Sequence, residues 1–310
     1  MYNNERKERY IEIRETNATL PPGGLRRLFN STEPFEEKYG KDVCEWTVRE
    51  IIDFYKYIDA YSHSSLVVKN SDLGIYTNWC LTETLVPDGQ NHFLEIDMDM
   101  LSQCVNKVYL ESLIIARDEL LSAIDRLPNY GDRFMYLAFF EGICGPRYQE
   151  MTCARYDDIE GDVIKLCTGR EVTITSKLKE IAWEASTENQ WQSYKEGGRL
   201  CKFSDLEPSD LIFKTTRRRS PFPPGASIQV VQQRYKSTKD FMGLPQRLTI
   251  KNLLLSGKIH YIKQLMVEQK TGVEDVVTKN KDVINARYTN DKIMTTVDFV
   301  RRYGTYFQDT

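Results

Sequence analysis

Seven consecutive apolar residues, Phe134 to Phe140, make the longest such run in the chain, and no other feature constrains the fold as tightly. A membrane helix needs about 20, so this segment must be covered on all sides by other parts of a globular core. Directly after it comes Gly145-Pro146, a turn signal that predicts a helix with proline in its first turn. Arg147 and Glu150 stand three apart and would share a face of that helix, while Met151 and Ala154 continue its inward side. A hairpin is predicted from Val163 to Ile174, turning at Thr168-Gly169. Spacing alone leaves two readings of Arg147 open: a helix-start arginine paired to Glu150, or a side chain kept for a ligand.

Gly145, Arg147, Glu150, Met151, Ala154, Asp158 and Ile159 fall without a gap on a known box, Gly-Leu-Arg-x-x-Glu-Leu-x-x-Leu-x-x-x-Asp-Ile. In this the chain resembles the tyrosine recombinases (phage integrases), and the preceding apolar helix and following hairpin fit as well. The resemblance implies a mainly α, two-domain integrase-like fold with a small β-hairpin or sheet, in which the box arginine grips a DNA phosphate.

A length of 310 residues leaves room for two domains with cores of their own. The N-terminus, MYNNERKERYIEIRE, is charged throughout and lacks a signal-peptide core. Seven scattered cysteines, with no C-x-x-C pair, and three isolated histidines predict a reducing cytoplasm, no metal and no cofactor. Net charge is −3, which as an average speaks against nucleic acid. Its distribution does not: residues 212–263 hold eleven Lys and Arg against one acid, whereas residues 1–116 hold twelve basic and nineteen acidic side chains. That asymmetry suggests one polyanion-facing surface on an acidic body.

Residues 1–45 read as an N-terminal arm broken at Pro21-Pro22-Gly23-Gly24. Thr47 and Glu50 form a capping box opening a helix that carries Val48, Ile51, Ile52, Tyr55 and Ile58 on one side. Further helices are predicted from Ser71-Asp72 and through Met100 to Tyr109, so that 46–111 is a helical, core-binding-like domain and 112–310 a recombinase-like domain. In the latter, helices are expected at Arg117–Leu127 and Ser176–Ala185, a long polar loop at 187–210, and a short buried strand at Leu211–Lys214. Helices follow at Ile228–Met242, at Leu248–Val267 with an interruption at Ser256-Gly257, at Val273–Ile284, and at Asp291–Phe307.

Recombinases of this family attack phosphorus with a tyrosine and hold the phosphate with two arginines, a histidine or its substitute, and a hairpin lysine. Here the later boxes depart from the pattern. Lys251 stands where the second box has histidine, Leu254 where it has the second arginine, and Lys279 where the third box has histidine. Lysine still binds phosphate, but leucine offers no bidentate fork. Tyr288 keeps an Arg-Tyr-Thr context; Lys165 lies before the hairpin turn, and Arg170 occupies roughly the place where the resemblance expects the hairpin lysine. Arg147 and Tyr288 are thus vestigial candidates. The pattern resembles SPβ-type prophage repressors, which implies a cytoplasmic, sequence-specific DNA-binding repressor of lysogeny rather than an enzyme; the alternative is a divergent, active recombinase. Arg147, Arg217, Arg218, Lys236, Lys239, Lys251, Lys258 and Lys279 are the expected DNA-facing set. The expected partners are a double-stranded DNA operator, a second copy through the C-terminal helix, or a small regulatory protein, with no membrane involved.

Overall fold

The computed structural model describes residues 1–17, 23–58, 60, 63–106, 113–195, 199–217, 226–290 and 292–307. The chain divides into two compact units, Met1–Leu110 and Glu111–Thr310, and it is mainly helical with small antiparallel sheets.

In the first unit, α1 (Asn4–Asn17) and α2 (Gly24–Tyr39) precede α3 (Val48–Tyr57), α4 (His63–Thr82) and α5 (Met98–Gln103). The expected arm is therefore corrected: Tyr10, Ile11, Leu28, Phe29 and Phe35 are buried in the same core as Ile51, Phe54, Leu73 and Tyr76. What makes the segment look solvated is its charge, and part of that charge is internal. Lys7 Nζ reaches both Glu36 carboxylate oxygens at 2.5–2.6 Å, and both side chains are fully buried. Thr32 and the Val43 N–H complete the carboxylate's hydrogen bonds. At α3 Thr47 and Glu50 form the predicted capping box, with the Thr47 N–H donating to Glu50 Oε2 at 2.8 Å. α4 starts eight residues before the expected Ser71.

The second unit is built around α7 (Tyr130–Phe140), preceded by α6 (Arg117–Ile124). Every residue of Phe134–Phe140 is buried. α9 (Ser176–Thr187), α10 (Ile228–Met242) and α11 (Ile250–Gln269) pack around it. The four-residue α8 (Gln149–Thr152) leads into β1 (Ile159–Glu160), β2 (Val163–Lys165) and β3 (Glu171–Thr173), an antiparallel sheet in which buried Ile164 pairs with buried Val172. Its turn uses Gly169 at φ 81°. Within the expected loop, β4 (Gln190–Lys195) and β5 (Arg199–Asp205) pair as antiparallel strands. Leu211–Lys214 makes only an isolated bridge, Leu211 to Arg155, rather than a strand.

α10 covers Ile228–Met242 as predicted, and the structure adds Ser227 as its N-cap, with Gly243 at the other end. The expected interruption of α11 is absent. Gly257 instead marks the closest crossing of α11 with α7, where a Cβ would lie 1.6 Å from the Phe140 carbonyl oxygen. α12 (Val273–Arg287) and α13 (Thr296–Tyr303) close the unit. Among the described residues no helix is long and apolar enough to cross a membrane.

Candidate nucleic-acid interface

Two glycines steer the chain out of α7 and into the box. Gly142 (φ 89°) and Gly145 (φ 67°) hold left-handed backbone. A Cβ at Gly142 would lie 2.5 Å from the Arg287 carbonyl oxygen, and one at Gly145 would lie 2.5 Å from Glu150 Cγ. No other residue type fits either place without moving a neighbour.

The helix expected from Pro146 does not form there. A single 3-10 turn, Pro146–Tyr148, comes first, and Arg147 (φ 53°) and Tyr148 (φ 65°) are both left-handed. Such backbone in non-glycine residues costs on the order of 1–3 kcal/mol each and persists only where neighbours over-determine it. Here they do. The Tyr148 ring packs 5.6 Å from that of Phe139, the Tyr148 N–H donates to Gly145 O, and the Glu150 N–H donates to Cys144 O. Arg147 is left exposed, with no hydrogen-bond or ion-pair partner among the described residues. Neither a helix dipole nor a pair with Glu150 accounts for it.

Glu150 is committed elsewhere. It is buried, and Arg170 grips it with two bonds, Nε to Oε1 at 2.9 Å and Nη2 to Oε2 at 2.6 Å. Thr168 Oγ1 and the Cys144 N–H donate to the same carboxylate. Burial alone would push this carboxyl's pKa up, but the bonds from Arg170 and Thr168 and the guanidinium charge outweigh it and hold the pKa below the ordinary value. The remaining Arg170 donors go to the carbonyls of Gly142, Ala286 and Arg287. Arg170, which occupies roughly the place of the hairpin lysine, is thus a clamp joining the box, the hairpin and the end of α12. Lys165, the other candidate for that place, is exposed and paired with Glu160 at 2.8 Å. A cleft of about 330 Å³ opens beside the clamp, lined by Pro146, Glu150, Thr168, Arg170, Thr289 and Asn290.

Of the basic side chains singled out from sequence, Arg147, Arg217, Lys236, Lys251 and Lys279 are exposed, and none has a side-chain partner among the described residues. Arg218 lies outside those residues. Lys239 and Lys258 are corrected: both are buried. Lys239 Nζ donates to Gln246 O at 2.6 Å, and Lys258 Nζ sits 5.9 Å from the centre of the Phe299 ring. Lys214 and Arg234 are buried as well. Four of the nine described positive charges in residues 212–263 are therefore internal, and the surface is less basic than the sequence count.

Arg234 belongs to a second polar hub that sequence reasoning missed. It bonds Asp132 at 2.6–2.7 Å and the Lys214 carbonyl, with its guanidinium over Phe213 and Trp191. Asp132 also accepts from Trp191, Tyr194 and Asn129. The available signal was one acid, Asp132, just ahead of the apolar run Phe134–Phe140.

Tyr288 is buried, and its hydroxyl donates to the Phe140 carbonyl at 3.1 Å. Burial raises its pKa well above the usual phenol value, although the neighbouring Arg287 works the other way. Leu254 is buried in the core.

Two helical units, the second carrying the Gly145–Ile159 box, define a tyrosine-recombinase-like protein. Residues 1–82 match the family model described as the MrpR N-terminal core-binding domain, and residues 114–304 match that of the MrpR C-terminal catalytic domain; the chain belongs to this family. It is similar to the SPbeta prophage-derived uncharacterized protein YopR of Bacillus subtilis (strain 168), 23% identical over 280 residues covering 87% of this chain and 84% of that one. Among solved structures, a lambda integrase dimer bound to a COC' core site aligns with 96% of this chain and 76% of its own, at a TM-score of 0.44 and 17% identity. An integrase from mycobacterium phage Brujita aligns over 96% of both chains at a TM-score of 0.32 and 10% identity.

Proposed function

We propose that this protein is a sequence-specific DNA-binding repressor of phage lysogeny, built on a recombinase scaffold that no longer cuts DNA. The observation that carries the reading is the state of Tyr288. Its hydroxyl is enclosed and already donated to a main-chain carbonyl, so attack on phosphorus would first require the side chain to leave the core. Leu254 in the core and Arg170 sealed against Glu150 remove two more phosphate-holding groups. Each lost preorganised donor costs about 100- to 1000-fold in rate.

Binding is a smaller demand than catalysis. Arg147, Arg217, Lys236, Lys251 and Lys279 stand exposed without internal partners, as phosphate contacts require. Each phosphate neutralised adds affinity through counterion release. Arg147 is presented on a fixed turn rather than a mobile loop, and that lowers the cost of ordering it on a phosphate. The base contacts that choose an operator come from a few side chains.

The test is a pull-down of fragmented host and prophage DNA with the purified full chain. The expected result is enrichment of one or a few defined sites, released intact by salt. Recovery of fragments without sequence preference would sink the repressor reading.

A further inference from the structure

Two of the seven cysteines, Cys153 and Cys167, are exposed, one at the end of the box helix and one at the hairpin turn. Cys153 ends α8, its N–H donating to the Gln149 carbonyl at 2.9 Å. Cys167 opens the hairpin turn, and its thiol donates to the same carbonyl at 3.6 Å. One carbonyl oxygen thus takes a bond from each cysteine, which brings the two exposed residues together and lets Cys153 act on the Cys167 thiol. We propose that Cys153 and Cys167 are a redox modification site that closes into a reversible disulfide, stapling the hairpin turn to the end of α8.

The chemistry needs an electron acceptor, and hydrogen peroxide is the simplest. One thiolate attacks a peroxide oxygen, breaking the O–O bond to give a sulfenic acid and hydroxide. The second thiolate attacks that sulfur, forming the S–S bond and expelling a second hydroxide. The two thiol protons convert both hydroxides to water, so two thiols and one peroxide give one disulfide and two waters. A disulfide is about 2.05 Å long, shorter than any thiol hydrogen bond. Closure therefore needs the two sulfurs to approach, which Cys167 can do from a turn more easily than from a strand.

The contrast with the first unit shows why exposure matters. Cys44 and Cys80 also act on each other, but both are enclosed in the core, away from a dissolved oxidant. The exposed pair sits beside contacts that matter. Thr168, next to Cys167, donates to Glu150 at 2.6 Å, and Glu150 supports the turn that carries Arg147. An effect of the staple on DNA rests on the phosphate-binding role proposed for Arg147, whereas the crosslink itself does not.

The experiment uses the full chain, with and without peroxide, alkylated and digested with trypsin in the absence of reductant. Trypsin isolates the two cysteines on separate peptides, 148–155 and 166–170. The expected result is one species linking these two peptides within a single chain, abolished by dithiothreitol, together with the loss of two free thiols per chain. Cys153→Ser and Cys167→Ser, both at exposed positions, should each abolish it. Recovery of the two peptides separately, as alkylated thiols or as sulfinic acids, would overturn the proposal. So would a link found only between chains, or an equal loss of thiols in either serine variant. No DNA enters the assay, so its outcome is independent of the repressor reading.

Discussion

Replacing Arg170 with alanine removes the clamp that holds the box to the hairpin and to α12, and the structure sets the size of the effect. Glu150 is 2% exposed and takes two of its bonds from that guanidinium. The variant leaves a buried carboxylate with only Thr168 and one N–H, and strands three carbonyl acceptors. Removing one partner of a buried ion pair typically costs about 3–5 kcal/mol. For a unit of this size about 1 kcal/mol corresponds to a shift of roughly 2–4 °C, so the melting temperature of the second unit should fall by roughly 6–20 °C.

The pH dependence has a defined sign. In the native protein the folded-state pKa of Glu150 lies below the ordinary value of 4.5. Its contribution to stability is therefore present above that value and is lost as pH falls through the folded pKa. In Arg170→Ala burial dominates and the folded pKa rises above the unfolded one. The penalty is then present at neutral pH and relieved by protonation, so the gap between variant and native protein should narrow on acidification. The double variant Arg170→Met/Glu150→Met, with no buried charge left, should lose much less than the sum of the single changes. The assay is a thermal melt followed by circular dichroism from acid to neutral pH. A shift below about 2 °C for Arg170→Ala, with no pH dependence, would show that the clamp is not what holds these elements together.

Gly257→Ala should be severely destabilising, because its methyl group would meet the Phe140 carbonyl oxygen at 1.6 Å; a soluble variant with an unchanged melting temperature would contradict the close crossing of α7 and α11. Arg147→Gly should relieve left-handed backbone at φ 53°, so stability should hold or rise while DNA affinity falls by about 1.5–3 kcal/mol. Unchanged affinity in that folded variant would remove Arg147 from the interface. Lys251→Ala and Lys279→Ala should each lower the salt slope of DNA binding by about one unit. Lys239→Met, at a buried lysine, should alter stability and leave that slope unchanged, and a slope change there would mean that its ammonium reaches phosphate.

Elements with local signals were legible in the sequence. α10 was readable because its apolar residues recur at helical spacing and Gly243 is chemically suited to end it, and the Phe134–Phe140 run could only be a central helix. The errors came from tertiary contacts that override local rules. Charged residues 1–45 read as an arm because the buried Lys7–Glu36 pair cancels itself only after folding. The 187–210 segment read as a loop because its polar strands carry just two aromatic anchors, Trp191 and Tyr194, and these find Asp132 only in three dimensions. Gly257 read as a break because a helix-weakening residue and a close-packing residue are the same glycine. Within the site, residue types were legible and their assignments were not. Arg147 and Glu150 have the spacing of a pair, but left-handed backbone at Arg147 turns them apart, and Arg170, twenty residues on, takes the carboxylate. Basic residues counted along a sequence carry no mark of burial, so Lys239 and Lys258 could not be told from Lys251.

The central claim is that the scaffold grips DNA without cutting it, and one measurement addresses it directly. A suicide substrate carrying the recovered binding site, nicked so that any cleavage is trapped, is incubated with the full chain, denatured, digested and searched for nucleotide attached to peptide. The account predicts complete release of intact DNA on denaturation, and the same affinity within a few-fold for Tyr288→Phe. A phosphotyrosyl adduct on Tyr288 would contradict it and identify the protein as an active recombinase.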